Sequence, residues 1–243
     1  MSTATLEGPP ATATLHLTQI RVPYKLAIRQ LKIRDRYDWH QHVWKGFAGI
    51  ISPRPDKGRF AKGTRPDGQK SMPPDFLCRI DEVDDCYRLL VLSVTLPRKP
   101  DWCPPDCFSS KVIPDDFFAH PRYRFSVVAN PTKKLRVDNA DGSRKKNGRR
   151  APLVKREELV AWLQRKAEAG GFTINADSLR TVPHGREFFH KDGTSHGTHT
   201  AVEFQGELTV TDPAQFRATV AAGIGSAKAF GFGLLVIAPL STP

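Results

Sequence analysis

The sequence predicts an α+β fold, built as tandem ferredoxin-like (RRM-like) domains with antiparallel sheets. The predicted elements follow the order βαββ, then a gap, then βαββαβ, and the second half matches that unit more cleanly. The 243 residues suit one large domain or two small ones. We therefore expect a disordered extension at 1–14, a first domain at 15–120 and a second domain at 121–243.

In the first half, alternating apolar residues predict a strand at 15–23. Residues 25–32 either extend that strand or form an extra turn. A helix is predicted from Asp35 to Phe47, because Asp35 is a suitable N-cap and apolar side chains recur at every fourth residue. The rest is predicted as a loop at 48–74, paired strands at 76–80 and 87–96, and a Pro-rich, poorly periodic stretch at 97–121.

The second half contains clearer signals. Helices are expected at 157–169, closed by Gly170 and Gly171, and from Asp212-Pro213 to about Ala222. The predicted strands lie at 124–129, 172–182, 200–211 and 234–238, and a polar, His-rich connection separates the second from the third.

The overall charge indicates a nucleic-acid partner. The chain carries 37 Lys and Arg against 25 Asp and Glu, for a net charge of +12 and a pI of about 9.8. Such a chain repels itself unless an anionic partner binds, and the usual anionic partner is nucleic acid.

Other global features predict a cytoplasmic protein with no membrane partner. No apolar run reaches the roughly 18 residues that cross a bilayer. The first residues lack the basic start of a signal peptide. Four cysteines in a chain of this length do not make a disulfide scaffold.

The basic charge concentrates in residues 132–156, where ten bases and two acids leave a local charge of +8. Asp141-Gly142 within this segment is a hairpin-turn signal. The segment is either a basic hairpin that follows phosphates or a disordered basic linker. Its bases are Lys133, Lys134, Arg136, Arg144, Lys145, Lys146, Arg149, Arg150, Lys155 and Arg156.

A glycine-rich loop reads GIGSAKAFGFG at 223–233. It follows a helix and opens a strand, which is the reverse of a dinucleotide-binding loop, and it lacks a Walker ending. Its exposed N–H groups and Lys228 suit a phosphate, but a tight turn without a ligand explains the glycines equally well. The glycines that would let such a partner approach are Gly223, Gly225, Gly231 and Gly233.

Tyr37, His40 and Trp44 share one side of the first predicted helix. An imidazole beside a phenol forms a workable proton-transfer pair, and RNA cleavage needs groups that move protons to and from oxygen. The alternative is a histidine that only packs or lies at the surface. His42 falls on another face and is not included.

Two groups of residues could suggest a metal site, and neither is expected to form one. Cys78, Cys86, Cys103 and Cys107 have irregular spacings with no CxxC pair, so packing in strands explains the first two better. The histidines in 184–199 are better explained by a solvated turn with glycines.

Several segments resemble the CasE family, the CRISPR-RNA endoribonucleases of type I-E and related Cascade complexes. The similar segments are RFSVVANPTK at 124–133, APLVK at 151–155, AWLQRK at 161–166, GIGSAKAFGFGLL at 223–235 and YDWHQHVWKGF at 37–47. They cover somewhat over half of the chain. The segments at 1–14, 23–32 and 48–74 are longer than the corresponding segments of typical family members.

The resemblance implies that a CRISPR repeat RNA hairpin is cut without metal or cofactor, which leaves a 2′,3′-cyclic phosphate and a 5′-hydroxyl. His40 would be the general acid or base and Tyr37 would assist it. The glycine loop with Lys228 and the hairpin at 133–150 would hold RNA. The product would stay bound in a Cascade assembly, and we expect contact with the neighbouring backbone subunit.

Two other functions stay open. A non-catalytic scaffold for an RNA hairpin would need no active His40. A single-stranded RNA binder of the RRM type would need paired aromatics on central strands, for which Phe125 and Phe204 qualify, but no RNP1 pattern is present.

Overall fold

The computed structural model describes residues 13–47, 76–135, 150–191 and 195–240. These ranges contain four α-helices, which are α1 (Tyr24–Arg29), α2 (Arg36–Trp44), α3 (Arg156–Glu168) and α4 (Pro213–Ala222). The strands in the same ranges are β1 (Leu15–Pro23), β2 (Phe76–Val83), β3 (Cys86–Ser93), β4 (Phe108–Ile113), β5 (Arg122–Ala129), β6 (Thr132–Lys134), β7 (Arg150–Pro152), β8 (Phe172–Ile174), β9 (Arg180–Lys191), β10 (Ser195–Val210) and β11 (Leu235–Pro239).

The strands form two larger sheets and one small ladder. The first sheet has the order β2-β3-β1-β4, and the second has the order β11-β5-β10-β8, with β9 also paired to β10. All of these pairings are antiparallel, as is the pairing of β6 with β7. When β6, β7 and β9 are left out and the other four strands of each unit are numbered from 1 along the chain, both sheets have the strand order 2-3-1-4. The predicted tandem ferredoxin-like fold is therefore confirmed.

Three points of the prediction for the first unit can be compared with the structure. Residues 25–32 do not extend β1; most of them lie in α1, so the alternative of an extra turn was right. Helix α2 ends at Trp44 and a 3₁₀ turn at Lys45–Phe47 continues it. Asp35 caps α2 as predicted, because its side chain accepts hydrogen bonds from two backbone N–H groups of the first turn.

Strand β4 lies inside the stretch at 97–121 that was predicted to contain no element. It pairs only with β1, at the edge of the sheet. Most of its side chains are exposed, so it lacks the apolar alternation of a half-buried strand. A hydroxyl–hydroxyl contact of 2.8 Å between Thr18 and Ser110 supports the pairing instead.

The His-rich connection predicted in the second unit is wrong. Strands β9 and β10 form a long hairpin through it, and the strand predicted at 172–182 divides into β8 and the start of β9. Residues 182–186 and Phe188 are exposed, so this part of β9 shows no apolar period. Polar side chains on a hairpin arm therefore resembled those of a loop.

Both helices of the second unit are confirmed. In α3, the side chains of Leu159, Trp162 and Leu163 are buried. Asp212 caps α4 through a 3.0 Å bond from the backbone N–H of Gln215. No helix in the described part of the chain is long and apolar enough to cross a membrane.

Strand β2 joins the two units because both of its faces are buried. Phe76 and Cys78 pack in a cluster with Trp39 of α2. Leu77 points the other way, into the core of the second unit. There it lies so close to Gly223 that a Cβ on this glycine would approach the Leu77 Cδ1 to 2.8 Å.

Arg79 brings charge into this interface. Its Nη2 donates to Glu203 Oε1 at 2.8 Å, and its Nη1 donates to the Ser126 hydroxyl at 2.5 Å. Ser126 in turn donates to the same carboxylate oxygen at 2.7 Å. Burial alone would raise the pKa of Glu203, but hydrogen bonds from Ser126, Gln205 and Arg79 lower it from 4.5 to about 2.

The Glu203 carboxylate should make folding sensitive to acid. Its folded-state pKa is lowered, so its stabilisation is complete above pH ~4.5 and is lost as the pH falls towards 2. We predict that the wild type loses about 2 kcal/mol more than Glu203→Gln over that window. Urea unfolding between pH 7 and pH 2 measures the difference.

The matched control is Glu207→Gln, since Glu207 lies on the same strand in a more exposed pair with Arg122. That variant should follow the wild-type pH dependence closely. Parallel curves for the wild type and Glu203→Gln would contradict the prediction.

Candidate functional site

His40 lies in an aromatic setting on α2. Its ring is 5.2 Å from the Phe76 ring and 6.4 Å from the Tyr37 ring, with the latter pair stacked. The residue is partly exposed. Tyr37 and His40 therefore come together on one side of α2, as their spacing predicts.

Trp44 contacts His40 directly. The indole Nε1 donates a 3.0 Å hydrogen bond to His40 Nε2. An indole N–H can only donate, so Nε2 must be the accepting nitrogen, and the neutral ring carries its proton on Nδ1. Before Nε2 can take a proton from another group, this bond has to open.

His42 makes different contacts from those of His40. Its Nε2 lies 3.1 Å from the Leu31 carbonyl oxygen, and its Nδ1 lies 3.3 Å from Lys45 Nζ. Burial and then the charge of Lys45 lower the pKa of His42. These contacts give His42 a packing role.

Helix α2 meets the glycine loop through its first turn. The Tyr37 ring lies 5.8 Å from the ring of Phe230, which belongs to a 3₁₀ turn at Lys228–Phe230. Arg36 forms an ion pair with Glu187 of β9 and lies over the Phe232 ring at 5.0 Å. The loop and the predicted tyrosine–histidine pair are thus neighbours, although some 190 residues separate them in the sequence.

The glycines of this loop are needed for close packing. Gly231 has φ +78°, and a Cβ there would lie 3.0 Å from Ile80 Cδ1 and 3.2 Å from Arg36 Nη1. The same positive φ occurs at Gly223, Gly225, Ala227 and Gly233. The interpretation as a tight turn therefore has direct structural support. The backbone N–H groups of Gly223, Gly231 and Gly233 all donate to carbonyl oxygens of the protein, so these three groups are not available to a phosphate.

Lys228 also has a structural contact. Its Nζ donates to the Ala222 carbonyl oxygen at 2.5 Å, at the C-terminal end of α4, where a cation is favoured. Burial and then the charge of Lys166 lower the pKa of Lys228. Any contact with RNA has to be made alongside this helix contact.

The base of the predicted basic hairpin is formed by β6 and β7. Lys134 pairs with Arg150 and Lys133 with Ala151 across the ladder. Lys133 also bonds to Glu158 of α3 at 2.7 Å. The other predicted bases of the hairpin lie outside the described residues; they are Arg136, Arg144, Lys145, Lys146 and Arg149.

Asn130 connects the hairpin base to the glycine loop. It follows β5, two residues before β6, and its carbonyl oxygen accepts a 3.5 Å bond from Ser226. Its side chain lies 2.9 Å from His199 Nδ1 and accepts from the Thr200 N–H at 3.2 Å. The basic hairpin, the loop and α2 therefore meet in one region.

The cleft between the two sheets is acidic, in contrast to the basic hairpin. Its volume is about 790 Å³, and its charged lining consists of three arginines and five carboxylates. A phosphate backbone would be repelled there, so the cleft is not the expected RNA surface. The charged lining residues are Arg34, Arg36, Arg88, Asp35, Asp81, Glu82, Glu187 and Glu203.

The cysteines do not gather into a site. Cys78 and Cys86 are buried in β2 and β3, and burial raises the pKa of the Cys78 thiol to about 12. Within the described ranges, no three His, Cys, Asp or Glu side chains are grouped closely enough to hold a metal ion. The packing alternative for these two cysteines is confirmed.

Sequence reasoning missed Arg36, Phe230, His199 and Asn130. Phe230 lies within the glycine motif, so its position was visible without its contacts. The pairing of Arg36 with Glu187 spans 151 positions and has no signal in a single sequence.

Curated relatives support a role in CRISPR systems. A protein of Thermus thermophilus named CRISPR-associated endoribonuclease Cse3 is 36% identical over 165 residues, which cover 62% of this chain and 73% of that protein. The CRISPR system Cascade subunit CasE of Escherichia coli is 29% identical over 222 residues, covering 89% of this chain and 98% of that protein.

Solved structures share the fold. Thermus thermophilus Cse3 bound to an RNA representing a pre-cleavage complex matches with a TM-score of 0.64 and 25% identity, covering 93% of this chain and 100% of that one. Cas6e from Escherichia coli matches with a TM-score of 0.64 and 24% identity, with the same coverage. The family model described as CRISPR associated protein matches residues 15–239. The chain thus belongs to the family of CRISPR-associated proteins, and the CasE resemblance drawn from its motifs is confirmed.

Proposed function

We propose that this protein is an endoribonuclease that cuts CRISPR repeat RNA at a hairpin and then stays bound to the product. The observation that carries the proposal is the packing of the Tyr37–His40 helix against the glycine loop. The base of a strongly basic hairpin lies beside this contact. The endoribonuclease name of the Thermus relative and the RNA-bound neighbour support the same activity.

RNA binding is assigned to the hairpin and the loop. Cationic side chains neutralise phosphates, and glycines without side chains let the RNA backbone approach the loop closely. The stem of an RNA hairpin would be gripped through its backbone. The proposed contacts are Lys133, Lys134, Arg136, Arg144, Lys145, Lys146, Arg149, Arg150, Gly223, Gly225, Lys228, Gly231 and Gly233.

Cleavage proceeds by attack of the 2′-hydroxyl oxygen on the adjacent phosphorus. The O2′–P bond forms, the P–O5′ bond breaks, and the products are a 2′,3′-cyclic phosphate and a 5′-hydroxyl. His40 moves a proton as general acid or base, and Tyr37 positions or assists it. Because Trp44 occupies Nε2, RNA binding has to displace the indole before that nitrogen can act as a base.

The partners are a CRISPR RNA hairpin and the subunits of a Cascade-type complex, with contact to the neighbouring backbone subunit. The Escherichia coli relative is named as such a subunit, which supports this assignment. No metal or cofactor takes part in the proposed reaction. The protein would work in the cytoplasm, where its RNA substrate is made.

We keep the division into a first unit at 15–120 and a second at 121–243. The first sheet ends with β4 and the second begins with β5, so the division falls in the short connection between them. The extension at 1–14 falls almost entirely outside the described residues, and the loop at 48–74 lies wholly outside them.

Replacing the imidazole should stop cutting without preventing binding. We expect His40→Ala to lower the single-turnover cleavage rate by about 10²- to 10⁴-fold, the usual contribution of acid–base catalysis. Its affinity for the repeat RNA should change little. His42→Ala is the matched control, because His42 lies on the same helix with its own backbone contact. If His40→Ala cuts at the wild-type rate, the imidazole is not the catalytic group; if the wild type itself does not cut repeat RNA that it binds, only the scaffold function remains.

Chelation of metal ions should leave the reaction unchanged. An imidazole can supply proton transfer without a metal-bound water, so the cleavage rate in excess EDTA should match the rate without it. Gel analysis of labelled repeat RNA measures both rates. A rate that falls in EDTA and recovers with added Mg²⁺ or Zn²⁺ would overturn the metal-free mechanism.

Removing positive charge from the basic hairpin should reduce the salt dependence of RNA binding. We expect Arg149→Gln with Arg150→Gln to weaken RNA binding and to reduce the slope of log Kd against log salt concentration by up to about 2. Arg29→Gln, on the exposed end of α1, is the control. An unchanged slope would remove both arginines from the phosphate contacts.

A further inference from the structure

Phe230 lies at the centre of an aromatic cluster that joins three elements. Its ring is 5.8 Å from Tyr37 on α2, 4.3 Å from Phe189 on β9 and 4.7 Å from His199 on β10. Phe230 itself belongs to the turn inside the glycine loop. One side chain therefore connects the candidate catalytic helix to the long hairpin of the second unit.

The hairpin side of this cluster is firmly held. Phe189 stacks on His199 with ring centres 4.7 Å apart and an angle of 15° between the planes. The Phe189 ring also lies over Gly197, its cross-strand partner, so closely that no Cβ would fit there. The hydrogen bond from Asn130 fixes the His199 ring in addition. Phe230 thus rests on a surface that has little room to shift.

On the helix side, Tyr37 connects Phe230 to His40. Tyr37 lies between Phe230 and His40, and its ring is stacked near that of His40 at 27°. The neighbouring Arg36 holds the same turn of α2 through Glu187 and Phe232. Removing the Phe230 ring would leave Tyr37 without its support from the loop, while the Arg36 contacts would keep the helix docked.

We propose that Phe230 is a positioning residue for the cutting step, which holds Tyr37 and, through it, His40 in place against the RNA backbone. This inference rests on the proposed nuclease function. Phe230 does not move protons itself. Its effect follows from geometry, because a displacement of about 1 Å in a reacting group can cost about 100-fold in rate.

Stacking of Phe230 on an RNA base would give a different experimental result. If Phe230 stacked on an RNA base, its loss would weaken binding, since such stacking contributes to affinity for each base that is stacked. A positioning residue instead changes the rate of the bound complex. The two roles therefore separate in measurements of single-turnover rate and of RNA affinity.

The test begins with Phe230→Ala. We expect the single-turnover rate at saturating protein to fall by about 10- to 100-fold, with less than about a threefold change in Kd. Phe230→Tyr keeps the ring and should restore most of the rate. Phe188→Ala is the matched control, because Phe188 is next to Phe189 on the same strand but is 66% exposed. Thermal unfolding of each variant confirms that it is folded.

A double-mutant cycle tests the path through the tyrosine. If Phe230 acts through Tyr37, the double variant Tyr37→Ala/Phe230→Ala should cut no more slowly than Tyr37→Ala alone. Additive losses in rate, or a loss of affinity that matches the loss of rate, would overturn the proposal. So would a folded Phe230→Ala that cuts like the wild type.

Comparison with His40→Ala separates a failure of the positioning role from a failure of the nuclease function. Slow cutting by His40→Ala with normal cutting by Phe230→Ala removes only the positioning role. Wild-type cutting by His40→Ala removes the catalytic role of that imidazole, and with it the reason for Phe230 to act through that ring. A wild type that binds repeat RNA without cutting it removes the nuclease function itself.

Discussion

The close contact between α2 and the glycine loop is the constraint on which the candidate site depends. The loop runs from α4 to β11 through a space in which a side chain at Gly223 would strike Leu77, and one at Gly231 would press on Ile80 and Arg36. Backbone without side chains lets the two units approach there. That approach puts Phe230 against Tyr37, whose ring in turn stacks near that of His40.

Ion pairs across the interface complement this packing. Arg79 reaches Glu203 and Ser126, and Arg36 reaches Glu187. Both pairs join a residue of the first unit to a residue of the second, so we attribute to them the orientation of the two units. They also gather carboxylates in the cleft between the sheets. The excess positive charge is therefore left for other surfaces, among them the base of the basic hairpin.

Elements that depend on neighbouring residues could be predicted from the sequence, and strands that depend only on pairing could not. The caps at Asp35 and Asp212 and the apolar face of α3 depend on neighbouring residues, and each was found from the sequence. Strand β4, most of β9 and the first residues of β10 were missed. Their side chains are largely polar and exposed, and only pairing with a distant or adjacent strand makes them strands.

By itself, the sequence determined the tandem α+β architecture, the basic character, the family and the residues of the tyrosine–histidine pair, because these follow from local patterns and from motifs that are contiguous in the chain. Only the tertiary structure decided that Trp44 bonds to His40, that Lys228 caps α4, and that Phe230 links the hairpin to α2. The physical reason is that these contacts depend on side-chain direction and on the docking of segments far apart in the chain. Neither leaves a periodic or compositional trace in one sequence.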